Sequence, residues 1–176
     1  LDRAGDDLSG FGAVPAASAM GAHVSVCPNH TVGRVTPFVT RGHVALSGTF
    51  GYELDITKLT DEEKAIVKAQ TAEYHKYNDL IREGDYYRME SYTENKDRDS
   101  WMIVSKEKDR ALVFCVQVLS GANRKSRFLR LKGLDPDRRY VADGREYQGS
   151  TLMRAGLRIP AESGDFKSRL IEIRQV

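Results

Sequence analysis

Trp101-Met102-Ile103-Val104-Ser105, the charged Lys106-Glu107-Lys108-Asp109-Arg110, and then the apolar run over residues 111–119 decide how the second half of this chain folds. Two apolar, β-branched runs on either side of a short polar break are the signature of a β-hairpin. Towards the C-terminus, residues 127–132 set Leu129 and Leu131 against Arg130 and Lys132 in strict alternation, the period of a half-buried strand. Leu134-Asp135-Pro136-Asp137 reads as a turn, and residues 139–142 and 169–174 supply further short strands. Four or more short strands with turn signals about every ten residues point to an antiparallel β-sandwich. Trp101, Ile103, Leu112, Phe114, Leu129 and Leu131 are expected on its one buried face.

Towards the N-terminus the period changes at Gly84. Residues 60–82 read as a helix. Thr60 stands three residues before Glu63 as a capping box, and Asp61, Glu62 and Glu63 complement the positive end of the helix dipole. Ile66, Gln70, Tyr74, Tyr77 and Ile81 then recur at spacings of three or four. Before it, Phe50-Gly51-Tyr52-Glu53-Leu54-Asp55 reads as a strand, and residues 41–47 as a short helix that Pro37 leads into and Gly48 ends. Gly21-Ala22-His23-Val24-Ser25-Val26, closed by Pro28-Asn29-His30, suits a strand buried on both faces. Residues 1–19, rich in Gly and Ala, show neither period and read as loop or frayed helix.

The chain thus divides near residues 84–90 into a βαβα segment and an all-β module. Two βα units can neither close a parallel barrel nor cover both faces of a sheet. The first segment therefore reads as the end of a larger α/β domain, and the chain as a fragment.

With 40% hydrophobic and 30% charged residues, the composition is that of a globular protein with a core. The 27 basic side chains nearly balance 25 acidic ones, unlike the basic stripe of a nucleic-acid binder. No window approaches the roughly 18 apolar residues of a membrane span, so neither nucleic acid nor membrane is expected as a partner. Cys27 and Cys115 match no metal or redox spacing and read as two reduced thiols of a cytoplasmic protein. No metal and no cofactor are expected.

Met20-Gly21-Ala22-His23-Val24-Ser25 and the string from Pro28 to Pro37 (PNHTVGRVTP) resemble bacterial glycoside hydrolase family 36 α-galactosidases, or melibiases. Residues 41–48 (RGHVALSG), 50–55 (FGYELD), 84–88 (GDYYR) and 164–170 (GDFKSRL) continue that likeness in the family's order. The resemblance implies the last two βα units of a (β/α)8 barrel over residues 1–85, with barrel strands seven and eight at residues 21–26 and 50–55. A C-terminal antiparallel β-sandwich over residues 86–176 would follow. It also implies cleavage of terminal α-linked galactose from melibiose- and raffinose-type sugars with retention, and a homo-tetramer. The family's nucleophile and acid/base Asp belong to a Lys-Trp-Asp and a Trp-x-Ser-Asp string, neither of which occurs here. No catalytic residue is therefore assigned, and the chain alone is expected to be inactive. Residues 1–14 depart from the family's pattern, and Asp6-Asp7, lacking the preceding Trp and Ser, read as a solvated pair.

Active sites of (β/α)8 enzymes lie where strands end, so the loop from Cys27 to Arg34 would face the sugar pocket. Asn29, His30 and Arg34 are the candidate substrate-binding residues. Asn29 and His30 can exchange hydrogen bonds with hydroxyls, and Arg34 can hold a carboxylate; the same residue types also build turns and pack beneath loops. His23, inside an apolar run, is expected to be a satisfied core histidine. Tyr74, Tyr77, Tyr86 and Tyr87 are expected at the seam between the last helix and the β module. The competing function is a non-catalytic carbohydrate-binding or assembly module, which would need exposed aromatic faces; the single Trp is expected in the core instead.

Overall fold

Strands β1 (Gly21–Ser25) and β2 (Thr49–Glu53) lie parallel in the computed structural model, which describes residues 20–123 and 125–176. Their register runs from Gly21 opposite Thr49 to Ser25 opposite Glu53. A parallel pair needs a crossover, and helix α1 (Phe38–Ala45) provides it. A 3₁₀ turn (Ile56–Lys58) then leads to helix α2 (Asp61–Glu83). The capping box forms: Glu63 N donates to Thr60 Oγ1 at 3.2 Å and Thr60 N to Glu63 Oε2 at 3.0 Å.

Ala22, Val24, Phe38 and Ala45 form the buried centre of this first unit (Leu1–Arg82), with Phe50, Tyr52, Ile66 and Val67 packed around them. Gln70 joins the two helices. Its Nε2 donates to Phe38 O at 3.1 Å, its Oε1 accepts from Tyr52 Oη at 2.9 Å, and a Cβ on Gly42 would sit 2.1 Å from its amide nitrogen. Only glycine therefore lets α1 approach that buried amide. The readings of Leu1 to Ala19 and of Asp6-Asp7 fall outside the described residues.

The second unit (Glu83–Val176) is an antiparallel six-stranded sheet ordered β3-β4-β5-β10-β7-β8. Its strands are β3 (Asp85–Glu90), β4 (Arg98–Val104), β5 (Arg110–Gln117), β7 (Arg139–Ala142), β8 (Arg145–Gln148) and β10 (Lys167–Gln175). A second sheet pairs β6 (Arg127–Leu129) with β9 (Leu157–Ile159). Two short helices, α3 (Tyr92–Asn95) and α4 (Gly149–Arg154), lie in the connections. The hairpin at 105–110 closes through Ser105 N to Arg110 O at 2.9 Å, with Lys108 in the left-handed region at φ 59°.

Met102, Val104, Val113, Cys115, Ile171 and Ile173 of the large sheet share one core with Leu129, Leu157 and Ile159 of the small sheet and with Leu131 and Leu152. Each such side chain, fully buried, stabilises by roughly 1.5–3 kcal/mol. All six positions expected inside are buried, but the expectation of one buried face needs correcting. Trp101, Ile103, Leu112 and Phe114 are at most 2% exposed, yet by strand alternation they point away from the core that holds Leu129 and Leu131. Trp101 and Phe114 pair across β4 and β5 and stack with centroids 5.2 Å apart. Both strands are continuous apolar runs, and such strands are covered on both faces.

His23 also departs from expectation. It is exposed, on the side of β1 opposite Ala22 and Val24, and its ring lies so close to β2 that a Cβ on Gly51 would be 3.0 Å from Cδ2. Tyr74 stacks on Phe50 at 5.4 Å in the first unit, whereas Tyr87 packs against the core of the second.

Candidate functional site

The loop after β1 leaves the C-terminal end of the parallel pair and returns at Thr36, just before α1. Arg41, on the first turns of α1, holds both ends of it. Its Nη1 donates to Ser25 O and its Nε to Thr36 O at 3.1 Å, while the guanidinium sits 4.5 Å above the Phe38 ring. Cys27 Sγ, a free thiol, donates to the same Thr36 carbonyl at 3.6 Å. Pattern reading gives Arg41 only a place in a helix; an Arg just after the Pro that starts the helix is the one signal for this bracing.

Asn29 organises the interior of the loop. Its Oδ1 accepts from Thr31 N at 2.9 Å and Val32 N at 3.0 Å, its own N donates to Arg34 O at 2.9 Å, and its carbonyl accepts from Gly33 N at 2.9 Å. Gly33 reverses the chain at φ +66°, where a side chain would be strained. Asn29 and Arg34 are half-buried, and His30, Thr31 and Val32 form an exposed tip. The three sequence candidates are thus brought into one loop in different situations. Asn29 has its acceptor oxygen engaged by the turn, Arg34 closes it through its backbone, and His30 presents its imidazole to solvent.

The charged groups of the second unit gather at the end of β3. Glu90 accepts from Arg98 Nε at 2.8 Å, Arg127 Nη2 at 2.9 Å and Ser100 Oγ at 2.8 Å. Burial pushes its carboxyl up, but the hydrogen bonds and charge of Arg127, with Ser100 and Arg98, outweigh that and hold it below its ordinary value. Asp99 behaves the other way. Burial outweighs the charge of Arg88, whose Nη1 is 3.5 Å away, and pushes the Asp99 carboxyl up to about 6. Burial likewise raises the Cys115 thiol to about 12, so it is an inert core group. Among the described residues no three His, Cys, Asp or Glu side chains are grouped to hold a metal ion. No described helix is long and apolar enough to cross a membrane.

Comparison with known proteins places both units. Residues 9–84 match the melibiase family, and residues 98–173 match the glycosyl hydrolase family 36 C-terminal domain. The chain is 49% identical over 160 residues to α-galactosidase AgaA of Geobacillus stearothermophilus. That alignment covers 90% of this chain and 22% of AgaA. The chain belongs to glycoside hydrolase family 36.

The bifunctional α-galactosidase/sucrose kinase AgaSK of Mediterraneibacter gnavus is 46% identical over 154 residues, covering 86% of this chain and 16% of that protein. The crystal structure of AgaA superposes on 91% of this family 36 chain with a TM-score of 0.88 at 48% identity, again over 22% of its own length. A variant of AgaA has been solved in complex with raffinose, and another with stachyose. The chain spans about a fifth of the length of AgaA.

Proposed function

We propose that this chain is the C-terminal portion of an α-galactosidase that removes terminal α-linked galactose, with retention, from melibiose- and raffinose-type sugars. In this reading residues 1–85 are the last two βα units of a (β/α)8 barrel, and residues 86–176 are a C-terminal antiparallel β-sandwich. The observation that carries it is the parallel β1–β2 pair, covered among the described residues by helix on one face only, within a stretch matched to the melibiase family. The face without helix, which carries His23, Gly51 and Glu53, then meets the preceding strands inside the barrel.

The loop from Cys27 to Arg34 opens at the end of the barrel where substrate binds. Asn29 shapes it, His30 reaches the galactoside from its tip, and Arg34 orients a neighbouring carboxylate. Retaining hydrolysis needs two carboxylates about 5 Å apart, and neither family motif that carries them occurs in this sequence. The free thiols Cys27 and Cys115 support a cytoplasmic protein, and the family likeness supports a homo-tetramer. Trp101, 2% exposed, offers no platform for an independent carbohydrate-binding module.

The test compares the 176-residue chain with the complete gene product on an aryl α-galactoside. The chain should show no turnover and the complete protein should, with His30→Ala raising KM in the latter. Turnover by the chain alone would refute the assignment, as would a complete protein without activity on any α-galactoside.

A further inference from the structure

A cleft of about 310 Å³ opens in the second unit, where β4 and β5 meet the segment leading into β6. Asp97, Arg98, Gln117, Asn123, Lys125 and Arg127 supply its polar wall, and Gly121 leaves it open. Two of its cations are fixed before any ligand arrives. Arg98 binds Glu90 through Nε and Asp97 through Nη1 at 3.0 Å, and Arg127 binds Glu90 through Nε and Nη2. That leaves Arg98 Nη2 and Arg127 Nη1 as donors, and the exposed Lys125 ammonium, without a hydrogen bond among the described residues.

Lys125 and Arg127, which line the cleft, belong to a basic stretch of the sequence. Residues 121–134 hold five basic side chains and no acidic one, in a protein whose net charge is only +2. The acids beside these cations are already engaged: Asp97 Oδ2 by Arg98 Nη1 at 3.0 Å, and Glu90 by Arg98 Nε at 2.8 Å and Arg127 Nη2 at 2.9 Å. The wall is not purely cationic, however. Gln117 gives its amide nitrogen to Glu162 O and Gly164 O, which leaves its carbonyl as an acceptor beside the Asp97 and Asn123 oxygens. Acceptors repel a bare anion but take hydrogen bonds from hydroxyls.

We infer that this cleft binds a small hydroxylated anion, a single sugar ring carrying a phosphate or a carboxylate. The remaining N–H donors of Arg98 Nη2 and Arg127 Nη1, held in place by their bonds to Glu90 and Asp97, and the Lys125 ammonium suit the acidic group, and the acceptors suit the ring hydroxyls. The volume, at the lower end of ligand pockets, admits one ring and not an oligosaccharide. A neutral sugar is disfavoured because the described residues that line the cleft include no aromatic side chain for stacking. The site is independent of the α-galactosidase assignment and lies in another part of the chain.

The test titrates the 176-residue chain, by calorimetry and by NMR, with galactose 1-phosphate, galacturonate, galactose and inorganic phosphate. Galactose 1-phosphate or galacturonate should bind at least about tenfold more tightly than galactose or inorganic phosphate, the gap expected from one lost charge-assisted hydrogen bond. Whichever of the two binds more tightly identifies the acidic group. Lys125→Gln should weaken binding about tenfold for the same reason. Gly121→Phe should abolish it with the fold intact, because a Cβ there meets nothing within 4 Å. The inference is overturned if neither anion binds at millimolar concentration, or if galactose or inorganic phosphate binds equally well. It is also overturned if both variants keep wild-type affinity with unchanged circular dichroism.

Discussion

Replacing Asp99 with Asn should stabilise this chain in mild base and leave it nearly unchanged in acid. Asp99 is 6% exposed, and its Oδ1 is buried with no hydrogen bond. The Arg88 guanidinium at 3.5 Å is too far for a strong charge-assisted bond. Its carboxyl is consequently raised to about 6, against about 3.9 in an unfolded chain. The sign follows from linkage. A carboxyl raised on folding costs stability once it must ionise, so the penalty is absent below about pH 4, grows as pH rises towards 6, and is complete above that. A difference of about two units corresponds to about 3 kcal/mol. Glu90, held low by its arginines, acts in the opposite sense, and its contribution is lost as pH falls. Comparing the variant with wild type at each pH cancels the Glu90 effect. Urea unfolding at about pH 4 and about pH 8 should therefore show the Asp99→Asn advantage larger by about 3 kcal/mol at the higher pH, with unchanged m values. A variant that is less stable than wild type by the same amount at both pH values would show that the Arg88 pairing outweighs burial, and would refute the reasoning.

Thr60→Ala removes the acceptor for Glu63 N and should cost about 1 kcal/mol, read as a lower urea midpoint. Asn29→Ala leaves the Thr31 and Val32 amides without their acceptor and should cost roughly 1 kcal/mol, while His30→Ala at the exposed tip should stay within about 0.5 kcal/mol; thermal unfolding of the pair separates brace from tip. Gly149→Ala would place a Cβ 2.0 Å from the Asp135 carbonyl oxygen and 3.0 Å from the Tyr140 ring, and should cost about 3 kcal/mol or more by denaturant unfolding.

What the sequence made legible was what local chemistry controls. The capping box at Thr60 places the start of α2 at Asp61, and the charged break at 106–110 places the hairpin, because both signals are complete within a few residues. Strands β3, β8 and β9 are not legible in the sequence, for the converse reason. β8 is four residues long and β9 three, too short to show a period, and β3 carries Asp85, Arg88 and Glu90 among its tyrosines because it is an edge strand. His23 is exposed among the described residues. Within Gly21 to Val26 the polar His23 and Ser25 alternate with Ala22, Val24 and Val26, the pattern of a strand with one covered face. The structure follows that alternation, with Ala22 and Val24 buried and His23 exposed.

The two places where chemistry gathers differ in how far sequence could lead to them. The loop after β1 is contiguous, so Asn29, His30 and Arg34 were found together, but residue type could not divide their roles. An Asn that braces a turn and one that binds a hydroxyl carry the same side chain, and only the engaged Oδ1 assigns Asn29 to the turn. The cleft of the second unit is different in kind. Glu90, Arg98 and Arg127 are spread over 38 residues, and neither charge pattern nor period links them. They meet because β3 shifts register by one residue between Arg88 and Glu90, which sets Glu90 opposite Ser100 instead of leaving it in sequence with Arg88. A bulge turns the bulged strand's side chain to the other face. Without that shift Glu90 would lie with Arg88 and Asp99, two buried carboxylates would share one guanidinium, and Arg98 and Arg127 would have no anchor. The single extra residue in β3 thus separates the raised Asp99 from the depressed Glu90 and builds the cationic wall of the cleft.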